Sequence, residues 1–290
     1  MRTSPQKGLP LRRRAYGGAM RVLLYLSAAA TLGLLAFLIG YILYRGLPGL
    51  SWEFLTSAES MLKETDGILP AIQNTVFVVL VTLAIVLPLG VGAAVYLTEY
   101  ARSRRIAGAV EFAAETLAGI PSIVYALVGM LVFCQFLSLQ KTLLAGALTL
   151  VIMTLPTIIR TTQESLKTVP QGYREGALGL GAGKWRMIRT VVLPSSADGI
   201  VTGCILAVGR IVGESAVLMF TAGMGTTLQQ FFTAGGFTKS SGATLTVALY
   251  VYAKERAEFG LAFSVAVVLL AATLLINLSA KLAARKLKKR

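Results

Sequence analysis

The sequence predicts an all-α, polytopic membrane protein of six transmembrane helices, and three observations carry that expectation. Of 290 residues, 55% are hydrophobic and only 14% charged, against roughly 25% charged in soluble domains. Six apolar stretches are each long enough to cross a hydrocarbon core, for which about 20 residues suffice. Lys and Arg alternate as six crossings require: 21 fall in one set of compartments and six in the other, with Arg210 alone inside a span.

That asymmetry predicts both termini on the cytoplasmic side of the membrane. The net charge of +15 then belongs to lipid headgroups, and no nucleic-acid partner is expected. The chain has no His, so the commonest general base and the commonest metal ligand are both missing, and no metal site is expected. Cys134 and Cys204 fall within or at the edge of spans and read as small packing residues rather than a disulfide.

In chain order, residues 1–21 form a basic cytoplasmic tail. The first span, 22–44, holds 23 uncharged residues, more than the roughly 7–15 of a signal-peptide core, and is expected to be retained. A periplasmic loop, 45–70, follows with Trp52 and the acids Glu53, Glu59, Glu64 and Asp66. The first span reads as a peripheral addition to a core covering 71–280.

The second span, 71–98, contains Pro88 and Gly90, so a kink is expected there. An amphipathic cytoplasmic segment comes next, where Glu99, Glu111 and Glu115 are expected to offset Arg102, Arg104 and Arg105. Gly119 and Pro121 predict a bent or broken start to the third span, 116–137. An ordinary proline kink and a pathway-lining break both fit. The fourth span, 142–159, ends at Arg160, whose long side chain reaches headgroup depth. The fifth and sixth spans are 199–222 and 259–280, and a basic cytoplasmic tail, 281–290, closes the chain.

Between the fourth and fifth spans lies a polar loop, 161–198. Arg174 to Leu180 is expected to form a short helix with Glu175 in its first turn, where a carboxylate suits the helix dipole. Gly181-Ala182-Gly183 supplies the tight turn that ends it. A basic helix, Lys184 to Val192, is expected to stop before Pro194. The product is a helix-turn-helix knob, to be gripped by a partner or laid on anionic lipid. Gly183-Lys184 mimics the end of a phosphate-binding loop, but Leu178 and Trp185 occupy positions where Gly and Ser or Thr are needed. The chain is therefore not expected to bind ATP itself.

The fifth span carries the substrate chemistry. Arg210 and Glu214, four apart, are expected to share one helix face and to pair. An Arg near mid-membrane costs at least about 2.5–3.5 kcal/mol and marks a pathway, although a pair that only fixes helix register fits as well. Guanidinium binds oxyanions bidentately, so a small anion suits the site better than a cation. Gly199 with Gly203, and Gly209 with Gly213, form two small-xxx-small pairs that admit a close helix neighbour.

Two of these segments carry a resemblance. Glu175-Gly176-Ala177, then Gly181, then Val191-x-Leu193-Pro194 is similar to the EAA loop of ABC importer permeases, with Gly176 and Val191 departing from its Ala and Ile. Gly209 to Ala222, Glu115 to Tyr125, Leu155 to Leu166 and Gly67 to Ile72 resemble segments of bacterial phosphate permeases, the A-type most closely. The resemblance implies a type I ABC importer permease fold and half of a phosphate pathway. It implies a C-type permease partner, a dimer of a cytoplasmic ATPase that binds ATP and Mg in place of this chain, and a periplasmic phosphate-binding protein. It assigns Arg210, Glu214 and, more weakly, Arg160 to phosphate. Glu175, Gly176, Ala177, Gly181, Leu193 and Pro194 go to ATPase coupling. A permease for sulfate or molybdate, and an ATP-independent anion channel, are the alternatives.

Overall fold

The computed structural model describes residues 11–60, 65–101, 103–226 and 241–288. Lys63, Glu64, Arg102 and Lys239, residues 1–10 and residues 289–290 lie outside them. Within them the chain is almost wholly helical, because backbone in hydrocarbon satisfies its N–H and C=O groups only inside a helix. Helix α1 is Leu11–Gly46. A single turn, α2 (Trp52–Thr56), and an antiparallel hairpin of β1 (Ala58–Ser60) with β2 (Thr65–Ile68) lead into α3, Leu69–Val95. α3 is continuous through Pro88 and closes in a wide π turn, Tyr96–Tyr100. α4 (Arg104–Ala118), α5 (Ser122–Gly129) and α6 (Leu143–Lys167) follow.

Among the described residues four helices are long and apolar enough to cross a membrane: Tyr16–Gly49, Leu69–Tyr100, Leu143–Lys167 and Phe259–Leu282. Two further helix pairs are bent, by 99° between α4 and the helix starting at Ser122 and by 66° before the helix Ala197–Gly213. The spans among the described residues therefore number up to six, if each bent pair makes one.

The expected break in the third span is present, and two other expectations change. The third span is broken: α4 ends at Ala118, and the chain restarts helix at Ser122 and runs in a π turn to Phe136. Pro121 has no N–H to donate and its ψ of 140° is extended. The fourth helix does not stop at Arg160 but continues two turns to Lys167. The fifth span is also broken, into α10 (Ala197–Gly213) and α11 (Ala216–Thr221), because Glu214 leaves the helix at φ −85°, ψ 117°. The remaining elements are α12 (Leu245–Tyr250) and α13 (Phe259–Lys288).

α6 is the axis of the bundle. Leu150, Met153 and Ile158 on it are fully buried, packed between α3 on one side and α10 on the other. Two of its buried hydroxyls are satisfied inside their own helix: those of Thr149 and Thr154 donate to the Ala145 and Leu150 carbonyls at 2.8 and 2.7 Å. A hydroxyl that bonds the preceding turn adds no unpaired group to the apolar interior.

From Tyr16 onward α1 is mostly exposed, and it touches the core near its C-terminal end. There the Ser264 hydroxyl of α13 donates to the Gly46 carbonyl at 2.9 Å, and Phe263 meets Tyr41 edge-on at 5.5 Å. At the same end of the bundle Arg256 is hydrogen-bonded to Glu59 and lies over the Tyr252 ring. Burial, with Glu59 and Asp66 nearby, pushes the Tyr252 phenol up to about 12.

Candidate functional site

Two places matter, a helix break that holds Arg210 and an exposed arm at the opposite end of α10. The break comes first. Arg210 lies in the last turn of α10 and is half-buried. It stands about 20 Å along the helix from Ala197 at 1.5 Å per residue. Its positive charge suits the negative end of the α10 dipole.

Arg210 and Glu214 do not pair. Because the chain leaves the helix after Gly213, Glu214 is not presented on the Arg210 face. Its carboxylate instead accepts from the Val217 N–H, 3.5 Å away, at the start of α11. The Glu214 carbonyl accepts from the Thr246 hydroxyl at 3.1 Å, which steadies the break. Among the described residues no carboxylate is within ion-pair distance of Arg210. The guanidinium is within electrostatic reach of Tyr125, whose hydroxyl donates across the other break to the Leu117 carbonyl at 2.8 Å.

The two glycine pairs of α10 face different ways. A Cβ on Gly199 would stand 2.1 Å from the Ser165 hydroxyl, and one on Gly203 2.3 Å from that of Thr161, so both lie hard against α6. A Cβ on Gly209 or Gly213 would meet nothing within 4 Å. With Thr202 and Leu206 they form an exposed stripe, i, i+4, i+7 and i+11, and Arg210 borders it. This split predicts different failures. Gly203→Val is expected to lower the stability of the isolated chain by about 1–3 kcal/mol, as overpacking does. Gly209→Val is expected to leave that stability unchanged and to weaken association with a partner helix docked on the stripe. Thermal unfolding and co-purification measure the two.

Arg160 is exposed and already engaged. It meets Glu115 of α4 at 3.1 Å and Glu164, one turn on, at 3.2 Å. These groups line a groove of 390 Å³ between α4 and α6, along with Glu111 and Lys167. Glu111 accepts from Gln163 at 3.0 Å and Lys167 at 3.4 Å. Of the acids expected to offset Arg102, Arg104 and Arg105, Glu111 and Glu115 bind side chains of α6, while Glu99 pairs with Arg174. Two carboxylates compete with any anion for Arg160.

The arm is α7 (Gln171–Gly179), α8 (Lys184–Met187), a π turn Ile188–Val192 and α9 (Leu193–Ser195). Gly181, at φ +82°, ends α7 as a left-handed cap. The Gly181 N–H bonds the Leu178 carbonyl at 2.9 Å and the Ala182 N–H that of Ala177 at 3.1 Å, the paired closure that such a glycine allows. Helix continues past Pro194 to Ser195, contrary to expectation. The π turn before it already spaces carbonyls for a residue without an N–H.

Glu175 and Gly176 are exposed, as are Tyr173 and Trp185, and Leu180 is 92% exposed. Ala177 and Leu193 turn inward onto a buried cluster of Ala94, Val95, Leu166, Val169, Met187, Ile188 and Val192. Lys184 sits over the Tyr100 ring at 4.8 Å, a cation on an aromatic face rather than in a phosphate loop. Arg174 and Glu99, which sequence reasoning did not select, form a buried ion pair at 2.9 Å beneath this arm.

Residues 86–290 match the family described as binding-protein-dependent transport system inner membrane component. The chain belongs to that family. The permease is 35% identical over 216 residues to a probable ABC transporter permease, YqgI, of Bacillus subtilis, covering 74% of each chain. It is 31% identical to the phosphate transport system permease protein PstA of Xylella fastidiosa, covering 88% of this chain and 91% of that one. The PstA of Yersinia pestis is 37% identical over 70% of each. Among solved structures, a chain of a bacterial alginate ABC transporter, in complex with an alginate pentasaccharide-bound periplasmic protein, superposes with TM-score 0.69 at 13% identity. That match covers 97% of this chain and 98% of that one. A chain of the MetNI methionine transporter gives 0.57 at 20%, covering 76% and 94%. The fold is that of a type I ABC importer permease, and this chain is a multi-pass permease subunit of such an importer.

Proposed function

We propose that the permease forms half of a pathway for inorganic phosphate, completed by a C-type (PstC-like) permease. One observation carries the reading: Arg210 is half-buried, borders an open helix stripe, and has no carboxylate within ion-pair distance among the described residues. An unpaired guanidinium at that depth is costly unless an anion uses it. In this reading Glu214, on the adjacent break, would accept a hydrogen bond from a hydrogenated oxyanion such as phosphate, which fully deprotonated sulfate does not offer. Arg160 would be at most a secondary contact, since Glu115 and Glu164 already hold it. The PstA relatives support phosphate over sulfate or molybdate.

In this reading the exposed arm docks on a separate ATPase dimer, which binds ATP and magnesium and performs the hydrolysis. A periplasmic phosphate-binding protein delivers substrate to the end of the bundle that carries β1 and β2. Both termini and the arm lie in the cytoplasm. The test is reconstitution of both permeases in liposomes with the binding protein, with and without the ATPase. Phosphate uptake is expected only with the ATPase and ATP, and a tenfold excess of sulfate is expected to leave it unchanged. ATP-independent flux would favour a channel, and sulfate competition another oxyanion.

A further inference from the structure

We infer that Arg174, paired with Glu99, is the positioning joint through which motion of the 171–195 arm reaches the bundle. The inference rests on the arm being the ATPase-docking element. Arg174 stands near the start of α7, and the Arg174 and Glu99 side chains are only 12% and 7% exposed. Its Nε and Nη2 donate to Oε1 of Glu99 at 3.1 and 2.9 Å. Its Nη1 donates to the Val169 carbonyl at 2.6 Å and Nη2 to the Leu166 carbonyl at 2.8 Å. The Leu166 carbonyl lies in the last turn of α6 and the Val169 carbonyl in the link that follows it, at a helix end where a cation suits the dipole. Glu99 belongs to the π turn that closes α3. One planar guanidinium therefore ties α3, α6 and α7 together, with bond directions that an ammonium would not fix.

The rest of the arm sits on apolar contacts and on the stack of Lys184 over Tyr100, and apolar contact is non-directional. A buried ion pair adds little net stability over a packed apolar replacement, and its best-attested use is to fix register. Register is what a joint needs. From α6 the connection continues: the Ser165 hydroxyl donates to the Ser196 carbonyl at 2.8 Å, at the junction of α9 and α10. Gly199 and Gly203 then hold α10 against Ser165 and Thr161. Tilting α7 with Arg174 engaged drags the end of α6, and with it the helix that carries Arg210.

The test uses the complete complex, both permeases with ATPase and binding protein, in liposomes, with Arg174→Gln, Glu99→Gln, both together, and Arg174→Lys. Two quantities are read: ATPase retained on the purified permease, and inorganic phosphate moved per ATP hydrolysed. Retention is expected to stay within about twofold of wild type, while phosphate per ATP falls about tenfold in each single variant, within the range by which positions on a coupling path act. The double variant is expected to be no worse than either single, because both remove one contact. Arg174→Lys, which keeps the charge without the fork, is expected to restore less than half of the lost ratio. An unchanged ratio in the single variants overturns the inference, and so does loss of ATPase in proportion to transport, which would make the pair a fold support only. Failure of the docking assignment is seen separately, as full ATPase retention when Leu180, exposed on the arm, is replaced by Asp.

Discussion

Arg210→Gln is expected to cut phosphate uptake by roughly 30- to 1,000-fold, equivalent to about 2–4 kcal/mol, while the permease still assembles with its ATPase. The size follows from two charge-assisted hydrogen bonds lost together in a site of low dielectric. Assembly is spared because Arg210 makes no ion pair among the described residues and packs at the edge of an open stripe. Arg210→Lys keeps a point charge and loses the bidentate fork, so it is expected to retain part of the uptake. Uptake of radiolabelled phosphate by the reconstituted complex measures all three proteins. Unchanged uptake with Gln would leave Arg210 a helix-end charge that only complements the α10 dipole.

Leu180→Asp is expected to weaken ATPase attachment about 30-fold or more, and uptake with it, as loss of a central interface anchor worth at least about 2 kcal/mol does. Leu180 is 92% exposed and follows directly on α7. A surface substitution with no packing neighbours changes folding stability by no more than about 0.5 kcal/mol, so the loss reads as lost docking. Pull-down of the ATPase by the solubilised permease pair measures it. Full retention would put the contact elsewhere, with the basic arm lying on lipid.

What the sequence made legible was whatever depends on local composition. Hydropathy over about 20 residues found the long helices, because hydrocarbon admits little else. Gly119 and Pro121 announced their break through proline's missing donor. Gly181 announced the turn of the arm, since a left-handed cap needs its freedom. The break at Glu214 left no such mark: Gly213-Glu214-Ser215 contains no proline, and a carboxylate that caps α11 looks in sequence like one that pairs with Arg210 four residues before. Nor was the partner of Glu99 visible. Three arginines stood within six residues of it, yet it binds Arg174, 75 positions away, because the ends of α3 and α6 and the start of α7 meet at one point. Long-range pairings of this kind are decided by where helices stop, and Pro156 and Arg160 gave no sign that α6 would run on to Lys167.

The measurement that bears most directly on the pathway uses Leu206→Cys, one turn from Arg210 on the exposed stripe, with Cys134→Ala and Cys204→Ala. Its rate of modification by an anionic and by a cationic water-soluble thiol reagent is compared in the assembled complex. A guanidinium facing a watery pathway predicts faster reaction with the anionic reagent, a preference that Arg210→Gln abolishes and that added phosphate suppresses. Modification by neither charged reagent, with reaction only toward a lipid-soluble one, would turn that face of α10 to acyl chains and contradict the account.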